Sequence, residues 1–173
     1  MTKLGSILLA TFVAIGIPGC INPFAPRLDT SPAQALCDPT RMDGPIPEGV
    51  FRCLQAAYTF RDTTVYAPLL HESFTFIYRD YVEGVDITWG RDEELRTTFG
   101  LFQNAQRLDL IWNNILSTSM DSTTVNVVRG FNLTVTFNPS DVSYLYGYAN
   151  LTFTRTGTTA PWKIIRWRDE SNY

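Results

Sequence analysis

The chain has 173 residues, with 14 basic against 17 acidic side chains, a net charge of −3 and 45% hydrophobic residues. This balance argues against nucleic acid as a partner, which wants a basic face, and against electrostatic binding to a membrane. Of the three cysteines Cys20 is read below as lipidated, and one histidine with the two that remain cannot make a convincing zinc site, so no metal or cofactor is expected.

The chain opens with Lys3 and an uncharged apolar run from Leu4 to Ile17. The run is short for a membrane span, which needs about 20 residues. It fits the apolar region of a signal peptide, about 7–15 residues. It closes on Ile17-Pro18-Gly19-Cys20, which resembles the lipobox of bacterial lipoproteins. Gly19 is the small residue before the cut, and Ile17 stands for the usual leucine. Pro18 is less usual. The resemblance implies that residues 1–19 are a signal peptide and that Cys20 carries a diacylglycerol and an acylated amine, palmitate being a typical chain. Each buried CH₂ contributes about 0.8 kcal/mol to such an anchor. Ile21 follows, where aspartate would resemble an inner-membrane retention signal. In a cell with two membranes, the inner leaflet of the outer one, facing the periplasm, is implied. A plain secretory signal with Cys20 incidental is the alternative.

Residues 20–47 read as the lipidated cysteine and a tether. Pro23, Pro26, Pro32, Pro39, Pro45 and Pro47 keep it extended and semi-rigid, with at most one helical turn at 33–36. Cys37 and Cys53 would meet an oxidising compartment, where they either pair or stay as one exposed and one buried thiol. A bridge would stabilise by about 3 kcal/mol in the loop-entropy account and tie the tail to the first helix.

The domain is expected over 48–173. Val50, Cys53, Leu54, Ala57 and Tyr58 recur at helical spacing over 48–60. Asp62 or Thr63 can cap a second, short helix to about Leu70, bent or shortened by Pro68. Phe74, Phe76 and Tyr78 mark a short strand. Residues 91–104 read as a third helix with Leu95, Phe99 and Phe102 as its stripe. Asp92, Glu93 and Glu94 suit its first turn. After Ala105 the period becomes two. Strands are expected over 107–119, 123–138, 143–155 and 161–169, with turns at 138–141 and 156–158. Tyr144, Tyr146 and Tyr148 fall opposite Leu145, Leu151 and Phe153. The fold class is α+β: three N-terminal helices packed on a curved, mainly antiparallel sheet.

Residues 48–172 resemble the NTF2-like (SnoaL-like, cystatin-like cone) superfamily. The marks are Leu69-Leu70-His71-Glu72-Ser73-Phe74-Thr75-Phe76, Trp89-Gly90-Arg91, and Trp162-Lys163-Ile164-Ile165-Arg166-Trp167-Arg168-Asp169, with the order of elements as the stronger sign. The resemblance implies a conical pocket between helices and sheet. Members use it for dehydration, isomerisation, cyclisation or ligand binding, or use the outer sheet face for dimers and partners. Fold alone does not choose among these.

Within that frame His71 and Tyr66 are weak candidates for a proton carrier. Trp89, Trp112, Arg129, Arg166 and Trp167 are pocket candidates. Arg129 interrupts an apolar face between Val127 and Phe131. It either needs a carboxylate, a carbonyl or a bound anion, or a bulge at Gly130 turns it outward; the bulge is the favoured of the two. Arg166 and Arg168 either join a cationic cluster in the cavity or pair with acids on the outer face, which is favoured. The tyrosine row is core, pocket lining or a dimerising face. The sequons Asn132-Leu133-Thr134 and Asn150-Leu151-Thr152 read as polar faces of strands. The expected function is an envelope lipoprotein, membrane-anchored by lipid, whose domain binds a small apolar ligand or a partner protein, with a homodimer through the sheet face among the options. An acid–base enzyme of dehydratase or isomerase type is the alternative.

Overall fold

The computed structural model describes residues 31–41 and 46–171. Cys20 and the apolar run before it lie outside the described residues. The helices are α1 (Pro32–Leu36), α2 (Glu48–Phe60), α3 (Thr63–Tyr66) and α4 (Arg91–Asn104). The strands are β1 (Leu70–Asp80), β2 (Val85–Gly90), β3 (Arg107–Met120), β4 (Thr124–Asn138), β5 (Asp141–Thr154) and β6 (Lys163–Ser171). They form one six-stranded sheet in the order β2-β1-β6-β5-β4-β3. Every pairing is antiparallel except β1 with β6. The domain is α+β, with helices packed over one face of a mostly antiparallel sheet.

Local chemistry sets the helix ends. Arg61 adopts a left-handed conformation at φ 53° and terminates α2. Asp62 then caps α3, its Oδ1 accepting the backbone N–H groups of Thr64 and Val65. Pro68 lacks an N–H and sits in the short 3₁₀ turn Ala67–Leu69 that carries the chain into β1. That turn places His71 on β1, not at the end of a helix. β1 also begins earlier than the expected strand and is followed by β2, which was not expected.

The core is apolar and aromatic: Val50, Phe51 and Leu54 of α2 meet Val125 and Val127 of β4, Leu151 and Phe153 of β5, and Ile164 of β6, all essentially inaccessible to water. Burying each large apolar side chain contributes about 1.5–3 kcal/mol.

The stretch Ser31–Arg41, read above as part of the tether, packs onto the domain. Ala33 is fully buried. Ser31 Oγ donates to Asp62 Oδ2 at 2.5 Å. Cys37 and Cys53 are joined by a disulfide with an S–S distance of 2.02 Å. The backbone of Gly49 lies so close to this stretch that a Cβ there would fall 1.9 Å from the Asp38 carbonyl oxygen. Partial burial pushes the Asp62 carboxyl up, but hydrogen bonds from Ser31, Thr64 and the backbone N–H groups outweigh it and hold Asp62 below the usual carboxylate range.

Candidate functional site

Two polar groupings lie on the inner side of the sheet. The first is built on α4. Glu94, Thr98 and Phe102 recur every four residues and turn one face inward. Glu94 is thus not a simple surface charge of the first turn: only 5% of it is exposed. Its Oε1 accepts from the Tyr66 hydroxyl at 2.6 Å and the Thr98 hydroxyl at 2.9 Å. Its Oε2 accepts from Trp89 Nε1 at 2.7 Å. Trp89, two residues before α4, is held by stacking on Phe76 at 4.6 Å between centroids. Tyr66 also packs edge-on to Tyr58 and Phe102. Burial first, and the negative Glu94 second, push the Tyr66 hydroxyl well above its ordinary range. It stays protonated and donates.

The second grouping is built on β4. The phase of β4 runs unbroken through Arg129, Gly130 and Phe131, which pair with Ala149, Tyr148 and Gly147. The register breaks lie in β3, between Trp112 and Ile115 and again between Ile115 and Ser117. Arg129 therefore points inward, and the expected bulge at Gly130 is absent. Its Nη1 donates to Glu48 Oε2 at 2.8 Å, and its Nε donates to the Asn113 carbonyl at 3.0 Å. That carbonyl lies in the irregular stretch of β3. The guanidinium also sits 4.7 Å from the Phe51 ring centroid and 5.9 Å from that of Trp112. Trp112 Nε1 donates to the Phe51 carbonyl at 2.9 Å.

Both groupings are satisfied within the protein. Glu94 has three donors. Arg129 has a carboxylate, a carbonyl and an aromatic face. Trp167 joins the buried core against Phe76. Thus Tyr66, Trp89, Trp112, Arg129 and Trp167 all lie on the inner side, where they pack against protein. His71 and Arg166 do not join them. His71 lies at the rim, and Arg166 is exposed on the outer face within 3.4 Å of the Thr152 hydroxyl. Its neighbour Arg168 pairs with Asp86 at 2.9 Å, as does Arg79 at 3.1 Å. Both arginines hold the Asp86 carboxyl below the usual range.

A concavity of about 930 Å³ crosses the outer side of the sheet. Gly130 provides its floor. Opposite Gly130 stands Tyr148, beside it Tyr146 opposite Asn132. Asn113, Asn114, Ile115 and Leu116 of the irregular part of β3 form one wall, and Tyr81 and Glu170 close the far end. The tyrosines are well exposed: Tyr144 by 73%, Tyr146 by 59% and Tyr148 by 43%. Ile111 and Leu116 are exposed beside them. A Cβ at Gly130 would come within 3.2 Å of the Asn113 Cβ, so this glycine keeps the floor low. Sequence reading had the tyrosines in view but missed the groove. The signal was Gly130 in a strand interior, which marks a close approach as well as a bulge.

No family model matches the sequence, and no curated protein does. Solved structures do match. A conserved protein from Planctomyces limnophilus is 16% identical, with a TM-score of 0.62 over 72% of this chain and 92% of that one. A candidate scytalone dehydratase from Novosphingobium aromaticivorans is 19% identical, with a TM-score of 0.62 over 73% of this chain and 81% of that one. A candidate dehydratase of the NTF2-like family from Streptomyces avermitilis is 15% identical, with a TM-score of 0.56 over 69% of this chain and 88% of that one. At these identities the likeness is one of fold. The chain has the fold of NTF2-like proteins.

Proposed function

We propose that this is an envelope lipoprotein, anchored through Cys20, whose NTF2-like domain works as a binding module through its outer sheet face. One observation carries the binding reading. The tyrosine row and its groove are open, whereas Glu94 and Arg129 inside the cone are already engaged by protein partners, and only the buried Trp167 Nε1 among the candidate residues there lacks one. A small-molecule pocket buries about 70–90% of its ligand, and a groove across an open sheet suits a protein surface better. The occupant we favour is a second copy of this chain. The groove lining carries a single carboxylate, Glu170, so two copies can approach at the tyrosine row with little repulsion, and apolar patches of this kind mark interaction sites.

The test is the sedimentation of the full mature chain. A dimer that Tyr146→Asp converts to a folded monomer supports the reading. A wild-type monomer with no retained apolar molecule would overturn it. A monomer that retains an apolar molecule, lost on Gly130→Leu, would move the occupant from a second copy to a small ligand in the same groove. The anchor is tested separately: radiolabelled palmitate should enter the wild type and not Cys20→Ser.

Acid–base catalysis inside the cone is the second reading. It is favoured by the Glu94 carboxylate paired with the Tyr66 hydroxyl in an apolar interior, and by the dehydratase names of the neighbours in fold. Against it, Tyr66 is completely buried and both groups are already engaged. Turnover of a hydroxylated substrate that is lost in Glu94→Gln would restore this reading.

A further inference from the structure

A second concavity, of about 320 Å³, lies at the rim of the sheet, away from the tyrosine face. Three segments build it. His71 and Glu72 come from the start of β1. Thr154, Arg155 and Thr156 come from the end of β5. Ala160, Pro161 and Lys163 lead into β6. Leu70 pairs with Ile164 in the parallel ladder, which is why the start of β1 and the start of β6 share one rim.

Three nitrogen donors converge there. His71 Nδ1 accepts the backbone N–H of Ser73 at 3.1 Å, so the neutral ring keeps its proton on Nε2 and has that donor to offer. Arg155 rests on the Trp162 ring, 4.3 Å from its centroid, and Nη1 donates to the Thr158 carbonyl at 3.0 Å. Its Nε is buried without a hydrogen-bond partner. Nη1 is thus used, while the Nε–Nη2 edge, the side that grips an oxyanion through two parallel bonds, is unused. Lys163 makes no ion pair or side-chain hydrogen bond among the described residues. Glu72 is the one acid on the lining, and it is exposed.

A buried N–H without an acceptor is unfavourable. A fixed guanidinium, an unpaired ammonium and an imidazole donor around one small cavity form a set that an anion completes. We propose that this rim pocket binds a small molecule through a terminal phosphate group. Lys163 meets the phosphate as a point charge, the free edge of Arg155 takes two of its oxygens, and His71 donates to the third. The volume is at the lower end of the range for small-molecule sites, about 300–1,000 Å³. It admits a phosphate with a short carrier and no more. The site does not depend on the sheet-face reading.

The experiment is calorimetric titration of the full mature chain with sn-glycerol 3-phosphate, with sn-glycerol as the uncharged control. In parallel, flotation is measured with vesicles of equimolar phosphatidylcholine and phosphatidic acid, using protein lacking the lipid through Cys20→Ser. Saturable binding of glycerol 3-phosphate, weakened about tenfold or more in Lys163→Gln, supports the proposal with a soluble ligand. Binding only to the vesicles, lost in the same variant, supports it with a lipid phosphate. Arg155→Gln serves as a second variant where circular dichroism shows it folded. Absence of binding in both arms overturns the proposal. So does binding that Lys163→Gln and Arg155→Gln leave unchanged.

Discussion

Replacing Glu94 by glutamine tests the inner cluster with an almost unchanged shape. The carboxylate accepts from Tyr66, Thr98 and Trp89 at 2.6, 2.9 and 2.7 Å. A glutamine keeps one acceptor oxygen and replaces the other with a donor. With the oxygen left to Tyr66 and Thr98, the amide nitrogen faces the Trp89 N–H, donor against donor. A hydrogen bond to a charged group contributes about 1.5–3 kcal/mol, and an orphaned buried donor costs about 1–3. Relief of carboxylate desolvation offsets part of this, leaving a net destabilisation of about 2–3 kcal/mol. For a domain of this size that is a fall in Tm of about 5–10 °C. The assay is thermal and urea unfolding of the full chain by far-ultraviolet circular dichroism. A second leg isolates the cause. Trp89→Phe removes the donor, so the double variant should cost less than the sum of the singles by about 1 kcal/mol or more. Glu94→Gln within about 0.5 kcal/mol of wild type, or strictly additive singles, would refute the reasoning.

Reducing the Cys37–Cys53 disulfide, which closes a loop with a sequence separation of 16, should lower stability by about 3 kcal/mol; proteolysis between Ser31 and Glu48 should speed up with it, and an unchanged urea midpoint would contradict the stapled tail. Arg129→Leu strips Glu48 and the Asn113 carbonyl of their partner at a pair only 14% and 19% exposed, so a loss of about 2–3 kcal/mol is expected, and a variant as stable as wild type would show the pair to be neutral. Asp62 has a folded-state pKa below its unfolded value of about 3.9, so its contribution is complete above about pH 4 and disappears as pH falls through the folded value. Asp62→Asn keeps a good cap but lacks this ionisation, so the gap in urea stability between it and wild type should be widest at neutral pH and shrink in acid; a constant gap counts against the ionic role.

The two-residue period of β4 made its core face legible, but the favoured bulge at Gly130 turned Arg129 out of that face, whereas the structure keeps it there. What the sequence hid was the partner. Gly130 suggested a bulge on β4, but the extra residues are on β3, one where Asn113 and Asn114 together face Gly130 and one at Leu116, and no glycine or proline marks them. The Asn113 carbonyl that the irregular register leaves over is the acceptor that Arg129 needs. β2 was overlooked although Val85, Ile87 and Trp89 alternate with Asp86 and Thr88. The run is short, and only half of it is an inner face. Glu94 was read with Asp92 and Glu93 as one acidic first turn. Its spacing of four from Thr98 and of eight from Phe102 was the better guide, because that interval returns to the same side of a helix. His71 shifted from helix to strand because Pro68 ends the helical run sooner than the apolar pattern does. The tyrosine row faces outward as the alternation along β5 allowed, but a groove made by a missing side chain leaves no apolar trace to read.

The strand that joins the sheet is the last one in the described chain. β6 lies between β1 and β5, so before residues 163–171 are in place the β1–β2 hairpin and the β3–β4–β5 meander share no ladder. Each half then shows an open edge, and the parallel pairing that unites them brings together residues about ninety positions apart, such as Phe76 and Trp167. Non-local pairing of this kind is slow. A chain whose synthesis has not reached β6 therefore holds two separate pieces of sheet, and the domain becomes a single cooperative unit only when residues 163–171 slide in as the keystone.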